Sequence, residues 1–174
     1  MAQQTTRRLI VAAAFIGLLA SVYAANWLVQ HVGIVRIWPW NLYAPAGVYM
    51  AGLAFLFRDT VQRLGSVWLA LGGIAAGAVL SLAISPTLAG ASAAAFTLSE
   101  LTGLAVLWAL GRRLAVAIGV AQAAAAAVDS AVFLWLAFGS LAFWEGQFVG
   151  KLTVLAIAYP VVYGSRRLSS SFPA

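Results

Sequence analysis

Six apolar runs account for almost the whole chain, and short breaks rich in arginine, glycine, serine or proline separate them. A helix needs about 20 apolar residues to cross a bilayer, and most of the runs approach that length. The pattern predicts an all-α membrane protein, one domain of six transmembrane helices with a polar tail. The predicted spans are residues 9–29, 42–57, 66–84, 88–110, 114–138 and 143–163, and the tail is 164–174.

Two of the predicted spans have features that bear on how they pack. In span 1, Tyr23, Asn26 and Gln30 share one helical stripe, which is predicted to face protein rather than lipid. Span 2 is short and has Pro45 and Gly47 near its start. An interrupted helix of this kind lines ligand cavities in transporters, whereas a proline in the first turn of an ordinary helix costs nothing. Both interpretations of span 2 stay open at this point.

Basic residues mark one side of the predicted bundle. Eight arginines fall in connections or termini on that side, and Arg36 falls on the other. Under the positive-inside rule, both termini are therefore predicted to be cytoplasmic, as an even number of spans requires. The first run also resembles a cleaved signal peptide, but it stays apolar as far as Val29, which favours a span. The eight residues are Arg7, Arg8, Arg58, Arg63, Arg112, Arg113, Arg166 and Arg167.

Composition strengthens the membrane prediction and excludes several classes of site. Hydrophobic residues make up 64% of the chain, charged residues 8%, and the mean hydropathy is +0.98, so the main partner is the lipid bilayer. The net charge of +6 comes from arginines at the ends of apolar runs, a placement that does not predict nucleic-acid binding. With no cysteine and one histidine, His31, clustered metal sites are not expected.

The sequence also lacks the patterns typical of catalysis. It has no recognisable pairing of nucleophile and base and no glycine-rich phosphate loop, so we predict neither an enzyme nor a cofactor. The prediction allows a homo-oligomer without requiring one.

Three ionisable residues lie near the middle of predicted spans. Glu100, Asp129 and Lys151 share roughly one depth, and a charge at the bilayer centre costs roughly 2.5–3.5 kcal/mol. We therefore expect them to face inward and to neutralise one another or a ligand, with Gln147 one turn before Lys151. One acid then lacks a basic partner, which favours a ligand-binding carboxylate or a site for a coupling proton. The alternative is a buried ion pair that only fixes helix packing.

Aromatic side chains near these residues could stack on a planar ligand. Phe96, Phe133 and Phe148 are the candidates, and the sequence does not choose among them. Stacking of a nucleobase-like ring on an aromatic side chain contributes roughly 1–3 kcal/mol.

Two segments resemble the VUT family of six-helix bacterial membrane proteins, which are assigned to uptake of queuosine precursors. They are VDSAVFLWLAFG, from residue 128, and GQFVGKLTVLAIAYPVVY, from residue 146. The residues that match the family's pattern are Asp129, Ser130, Phe133, Gln147, Lys151, Pro160 and Tyr163, with weaker matches at Asn26, Pro45, Gly47, Asp59, Gly65, Ser99 and Glu100. The chain departs from the pattern at Gly103 and Ala126, where the family has an aspartate and a glutamine, and it lacks an arginine near the start of span 4.

The resemblance implies a secondary transporter in the bacterial cytoplasmic membrane whose substrate is a 7-deazaguanine base such as preQ0 or preQ1. Asp129 or Glu100 would accept hydrogen bonds from the guanidine-like edge of that base, and Gln147 or Lys151 would contact its carbonyl side. Lys151 would either touch the base or only neutralise an acid. The alternative is the substrate-binding S subunit of an energy-coupling-factor vitamin transporter. The expected substrate-binding residues are Asn26, Ser99, Glu100, Asp129, Ser130, Phe133, Gln147 and Lys151.

Overall fold

A computed structural model describes residues 2–110 and 115–164 of the chain. These ranges do not include the predicted pair Arg112 and Arg113, or nearly all of the predicted tail. The side chains of Pro160 and Tyr163 are also not described.

The described residues form six helices and one short β-hairpin. In chain order the elements are α1 (Ala2–Val32), β1 (Ile34–Ile37), β2 (Leu42–Pro45), α2 (Val48–Leu64), α3 (Val67–Ser81), α4 (Pro86–Leu110), α5 (Ala115–Phe138) and α6 (Trp144–Gly164). Three helical segments are long and apolar enough to cross a membrane, namely Gln3–Val32, Pro86–Leu110 and Val116–Phe138. The chain is thus a helical, membrane-embedded protein, as predicted.

The prediction of span 2 is wrong at both of its ends. Residues 42–45 form β2, which pairs antiparallel with β1 in a register that places Ile34 opposite Pro45 and Ile37 opposite Leu42. The turn between the strands holds Asn41 in the left-handed region, at φ 56°, a conformation that asparagine tolerates better than most residues. Pro45 ends a strand, so neither earlier interpretation of this proline applies.

The helix that follows continues beyond its predicted end. α2 runs to Leu64 and stops before Gly65, so Arg58 and Asp59, predicted to lie in a loop, are helical and buried. Their side chains face the bundle interior, and Arg63 lies exposed in the last turn. Arg58 is therefore not one of the exposed basic residues that mark one side of the bundle.

The β-hairpin packs closely against the helices at one end of the bundle. Ile37 and Ala44 form a buried cluster with Val48, at the start of α2. Close backbone contact explains two glycines there, because a Cβ on Gly146 would meet the backbone carbonyl of Tyr43 and one on Gly47 would meet that of Ala25. We call this the hairpin end. The α3–α4 and α5–α6 connections lie at the same end, since Val29, Leu88 and Phe133 pack together.

The opposite end contains the start of α1 and the α2–α3 connection. There the Arg7 Nε donates to the Leu64 carbonyl oxygen at 2.8 Å. α3 packs on α1 through small residues, with Gly73 against Leu18 and Gly77 against Val22.

Candidate functional site

The buried ionisable and amide side chains of the described residues form two groups, one toward each end of the bundle. The first, the Asp129 cluster, comprises Asn26, Ser92, Asp129, Ser130, Gln147 and Lys151, and lies toward the hairpin end. The second, the Arg58 network, comprises Arg58, Asp59, Gln62, Glu100 and Gln122, and lies toward the opposite end.

Lys151 and Asp129 form a fully enclosed ion pair between α6 and α5. The Lys151 Nζ donates to the Asp129 Oδ2 at 2.5 Å and to the Ser130 Oγ at 3.0 Å. The Ser130 hydroxyl in turn donates to the Ala126 carbonyl at 2.7 Å, which orients its oxygen to accept from Lys151. Lys151 has no exposed surface and Asp129 is 3% exposed, so each charge depends on the other for compensation.

A second polar contact joins α1 to α4 beside this pair. The Ser92 Oγ donates to the Asn26 Oδ1 at 2.8 Å, and both residues are buried. The predicted polar stripe of span 1 therefore holds only in part, because Tyr23 and Gln30 are exposed and Asn26 alone faces the interior.

A small cavity of about 30 Å³ lies at the centre of the Asp129 cluster. Phe96 and Phe133 contribute to its apolar wall, together with alanine and valine side chains from α1, α2 and α4. Its polar lining residues are Asn26, Ser92, Asp129, Gln147 and Lys151.

Three buried polar atoms on residues lining this cavity have no hydrogen-bond partner among the described residues. They are the Asn26 Nδ2, the Asp129 Oδ1 and the Gln147 Oε1, one donor and two acceptors. An unsatisfied buried polar atom costs about 1–3 kcal/mol, and folded proteins contain few of them. These three unsatisfied atoms around one cavity suit a ligand that supplies two N–H donors and one acceptor.

The Arg58 network is, in contrast, closely paired. The Arg58 guanidinium donates to the Asp59 Oδ1 at 2.7 Å and forms an ion pair with the Glu100 Oε2 at 2.9 Å. The Gln62 Nε2 donates to the other Glu100 oxygen at 2.7 Å, and the Gln122 Nε2 donates to the other Asp59 oxygen. Each oxygen of the two carboxylates thus has a partner on a neighbouring side chain, although the Arg58 Nη1 and the Glu100 Oε2 form an ion pair without hydrogen-bond geometry.

These contacts correct the predicted three-charge cluster. Glu100 pairs with Arg58 and not with Lys151, while the Asp129 cluster lies about two helical turns further along α5, since Gln122 and Asp129 are seven residues or about 10 Å apart. Glu100 has a basic partner, but Arg58 faces two buried carboxylates, Asp59 and Glu100, so these groups still hold one more acid than base. The coupling proton stays a prediction. Arg58 was missed because its loop assignment ended the helix too early, although Gly65 is the next helix-stop signal in the sequence.

The other predicted site residues divide between these two regions. Ser99 is buried, donates to the Phe96 carbonyl at 2.9 Å and lines a cavity of about 330 Å³ beside the Arg58 network. Phe148 stacks on Trp144, with ring centroids 5.1 Å apart, and is not among the residues that line the cavity of the Asp129 cluster.

Comparison of the chain with protein-family models, with curated proteins and with solved structures finds no match.

Proposed function

We propose that this protein is a transporter that takes up a 7-deazaguanine base, such as preQ0 or preQ1, across the bacterial cytoplasmic membrane. In this proposal all six helices cross the membrane, both termini are cytoplasmic and the hairpin end faces outward. The observation that carries the proposal is the set of three unsatisfied polar atoms around the cavity of the Asp129 cluster. The resemblance of the α5 and α6 segments to the VUT family supports the same substrate class.

The edge of a deazaguanine complements those three atoms. Its ring N–H and exocyclic amine are neighbouring donors, and its carbonyl oxygen is an acceptor. The Asp129 Oδ1 and the Gln147 Oε1 would accept from the two donors, and the Asn26 Nδ2 would donate to the carbonyl. Phe96 and Phe133, which line the same cavity, would pack against the ring.

Lys151 holds the Asp129 carboxylate in position and does not contact the base. Its ammonium is hydrogen-bonded to the Asp129 Oδ2 and to Ser130, and this fixes the carboxylate with its other oxygen left unsatisfied. Ser130 supports Lys151 in the same way. Of the two acids considered from the sequence, Asp129 is therefore the one we assign to the ligand.

Ligand entry requires the helices around the cavity to separate. A cavity of about 30 Å³ has room for roughly one water molecule, whereas ligand sites usually measure about 300–1,000 Å³. In this proposal the described conformation is a closed one, and the cavity would have to widen to admit a bicyclic base.

Calorimetric titration of preQ0 into the purified protein in nanodiscs tests the proposed site. Wild-type protein should bind, and Asp129→Asn, which replaces an acceptor oxygen by a donor amide, should weaken binding by about 100-fold or more because a buried donor would face a donor. Glu145→Gln is the matched control, since Glu145 is an exposed acid near the start of α6. It should bind as the wild type does. Equal affinities of wild type and Asp129→Asn would refute the assignment.

An S subunit of an energy-coupling-factor transporter would use the same site in a different way. It would capture its ligand at the hairpin end and depend on partner proteins for release. Binding data alone do not separate the two functions, whereas accumulation of the ligand in liposomes that contain only this chain does.

A further inference from the structure

Both polar groups lie on one boundary between two parts of the bundle. On one side of it is the α4–α5 pair, and on the other are α1, α2 and α6. We call this boundary the seam. The cavity of the Asp129 cluster is lined from both sides, as is the larger cavity beside the Arg58 network.

The α4–α5 pair is itself closely packed. These two helices make the most extensive helix–helix contact among the described elements. Small residues face each other here, and a Cβ on Gly103 of α4 would make ordinary van der Waals contact with α5, 3.7 Å from the Ala125 Cβ and 3.8 Å from the Ala121 carbonyl. Close packing of small residues favours movement of the pair as one body, because interiors packed in this way deform little.

Polar contacts, in contrast, cross the seam at both of its ends. Toward the hairpin end they are Lys151 to Asp129 and Asn26 to Ser92, and toward the opposite end they are Arg58 to Glu100 and Asp59 to Gln122. Such contacts can break and form again with water or a ligand. Apolar contacts also cross the seam, among them Val29 with Leu88 and Phe55 with Phe96, and these would have to slide as the α4–α5 pair moves.

An aromatic layer separates the two groups along the seam. The rings of Phe55 on α2 and Phe96 on α4 lie 5.3 Å apart, and the Arg58 guanidinium lies 4.7 Å from the Phe55 ring centroid. Phe96 also lines the cavity of the Asp129 cluster. A base held there would have to pass this layer and the Arg58 network to reach the opposite end.

We propose that the Arg58 network is the gate at the end opposite the hairpin, and that the α4–α5 pair rocks about the seam to open one end at a time. In the Arg58 network, the two polar atoms without a hydrogen bond, the Arg58 Nη1 and the Glu100 Oε2, compensate each other as an ion pair at 2.9 Å. The three polar atoms without a hydrogen bond in the Asp129 cluster, in contrast, have no such compensation among the described residues. The ligand-free protein therefore opens first at the hairpin end, and the Arg58 network stays closed until a ligand binds. The direction of opening rests on the structure, and the identity of the ligand rests on the proposed function.

Distances between spin labels at the two ends of the seam test the gate. The chain has no cysteine, so introduced cysteines are the only labelling sites. Leu9→Cys on α1 with Trp108→Cys on α4 reports the opposite end, and Ile34→Cys on β1 with Trp135→Cys on α5 reports the hairpin end. The four side chains are 66%, 87%, 42% and 61% exposed, in that order. The measurement uses ligand-free protein in nanodiscs.

Each gate variant should open its own end and leave the other unchanged. Glu100→Gln removes the ion pair with Arg58 and should lengthen the Leu9–Trp108 distance by several ångströms, with the Ile34–Trp135 distance unaltered. Asp129→Asn is the matched variant and should lengthen the Ile34–Trp135 distance alone. An unaltered Leu9–Trp108 distance in Glu100→Gln, or an equal change at both ends, would overturn the proposal.

A double-variant comparison shows whether any change comes from the ion pair. In an Arg58→Gln background the pair is already absent, so adding Glu100→Gln should produce little further change in the Leu9–Trp108 distance. Additive changes would mean that Glu100 acts by another route and would also overturn the gate. Because no ligand is present, failure here would leave the proposed substrate standing, and failure of preQ0 to bind would leave the gate standing.

Discussion

The sequence predicts that Lys151 forms a buried ion pair, but only the structure shows how the lysine orients its partner. A lysine and an aspartate in the middle of apolar runs predict an ion pair, because neither charge is tolerated alone in that environment. The pairing of Lys151 with Asp129 bears out one of the pairings that the sequence allowed. The unsatisfied Asp129 Oδ1 could not be predicted, since it depends on how Lys151 and Ser130 orient the carboxylate.

Glu100 shows the limit of the same reasoning. The sequence predicts its depth in α4, but it predicts a loop for its partner, Arg58, which the structure places in α2. An error of about two turns in one helix boundary thus assigned an acid to the wrong cluster.

Replacing one partner of the buried ion pair should destabilise the protein more than replacing both partners. Lys151→Met leaves a buried carboxylate without a cation and should lower the free energy of unfolding by about 3–5 kcal/mol. Adding Asp129→Leu should recover a large part of that loss, because no uncompensated charge then remains buried. Denaturant unfolding in detergent measures both, with Arg36→Gln, an exposed change on β1, as the control. Equal destabilisation by the single and double variants would contradict this account of the pair.

At the scale of elements, the apolar pattern predicts the positions of most helices, but it does not predict the β-hairpin. α3, α4, α5 and α6 begin and end within a few residues of the predicted spans, because arginine, glycine, serine and proline interrupt the pattern there. The stretch from Leu42 to Phe57 is apolar throughout, so composition did not separate a four-residue strand from the start of a helix.

A glycine-to-alanine change at the hairpin contact should test how the hairpin is held. Gly146→Ala would place a methyl group against the backbone of Tyr43, so the hairpin must shift, and we expect unfolding free energy to fall by about 1–3 kcal/mol. Gly90→Ala, in the interior of α4 with no neighbour near its added Cβ, is the control. It should be neutral or stabilise by up to about 1 kcal/mol through helix propensity. If Gly146→Ala proved as stable as Gly90→Ala, the close contact would have no energetic role.

At the scale of the whole molecule, apolar side chains cover the surface and the buried charges lie in the interior. Large apolar side chains cover the outside, with Trp68 and Trp108 among the most exposed at 80% and 87%. The charges that are expensive in lipid lie together along the seam, where they compensate one another. Sequence predicted the apolar exterior from composition, whereas the arrangement of polar groups along a single seam depends on the packing of α4 and α5 against each other.

The most direct test of the proposed transport is uptake of labelled preQ0 by liposomes that contain only this purified chain and are preloaded with unlabelled preQ0. The wild-type protein should accumulate the label by exchange, and Asp129→Asn should not, while Glu145→Gln should match the wild type. Binding without accumulation by the wild type would contradict a transporter and favour a capture subunit. Equal uptake by wild type and Asp129→Asn would contradict the role of the Asp129 cluster as the substrate site.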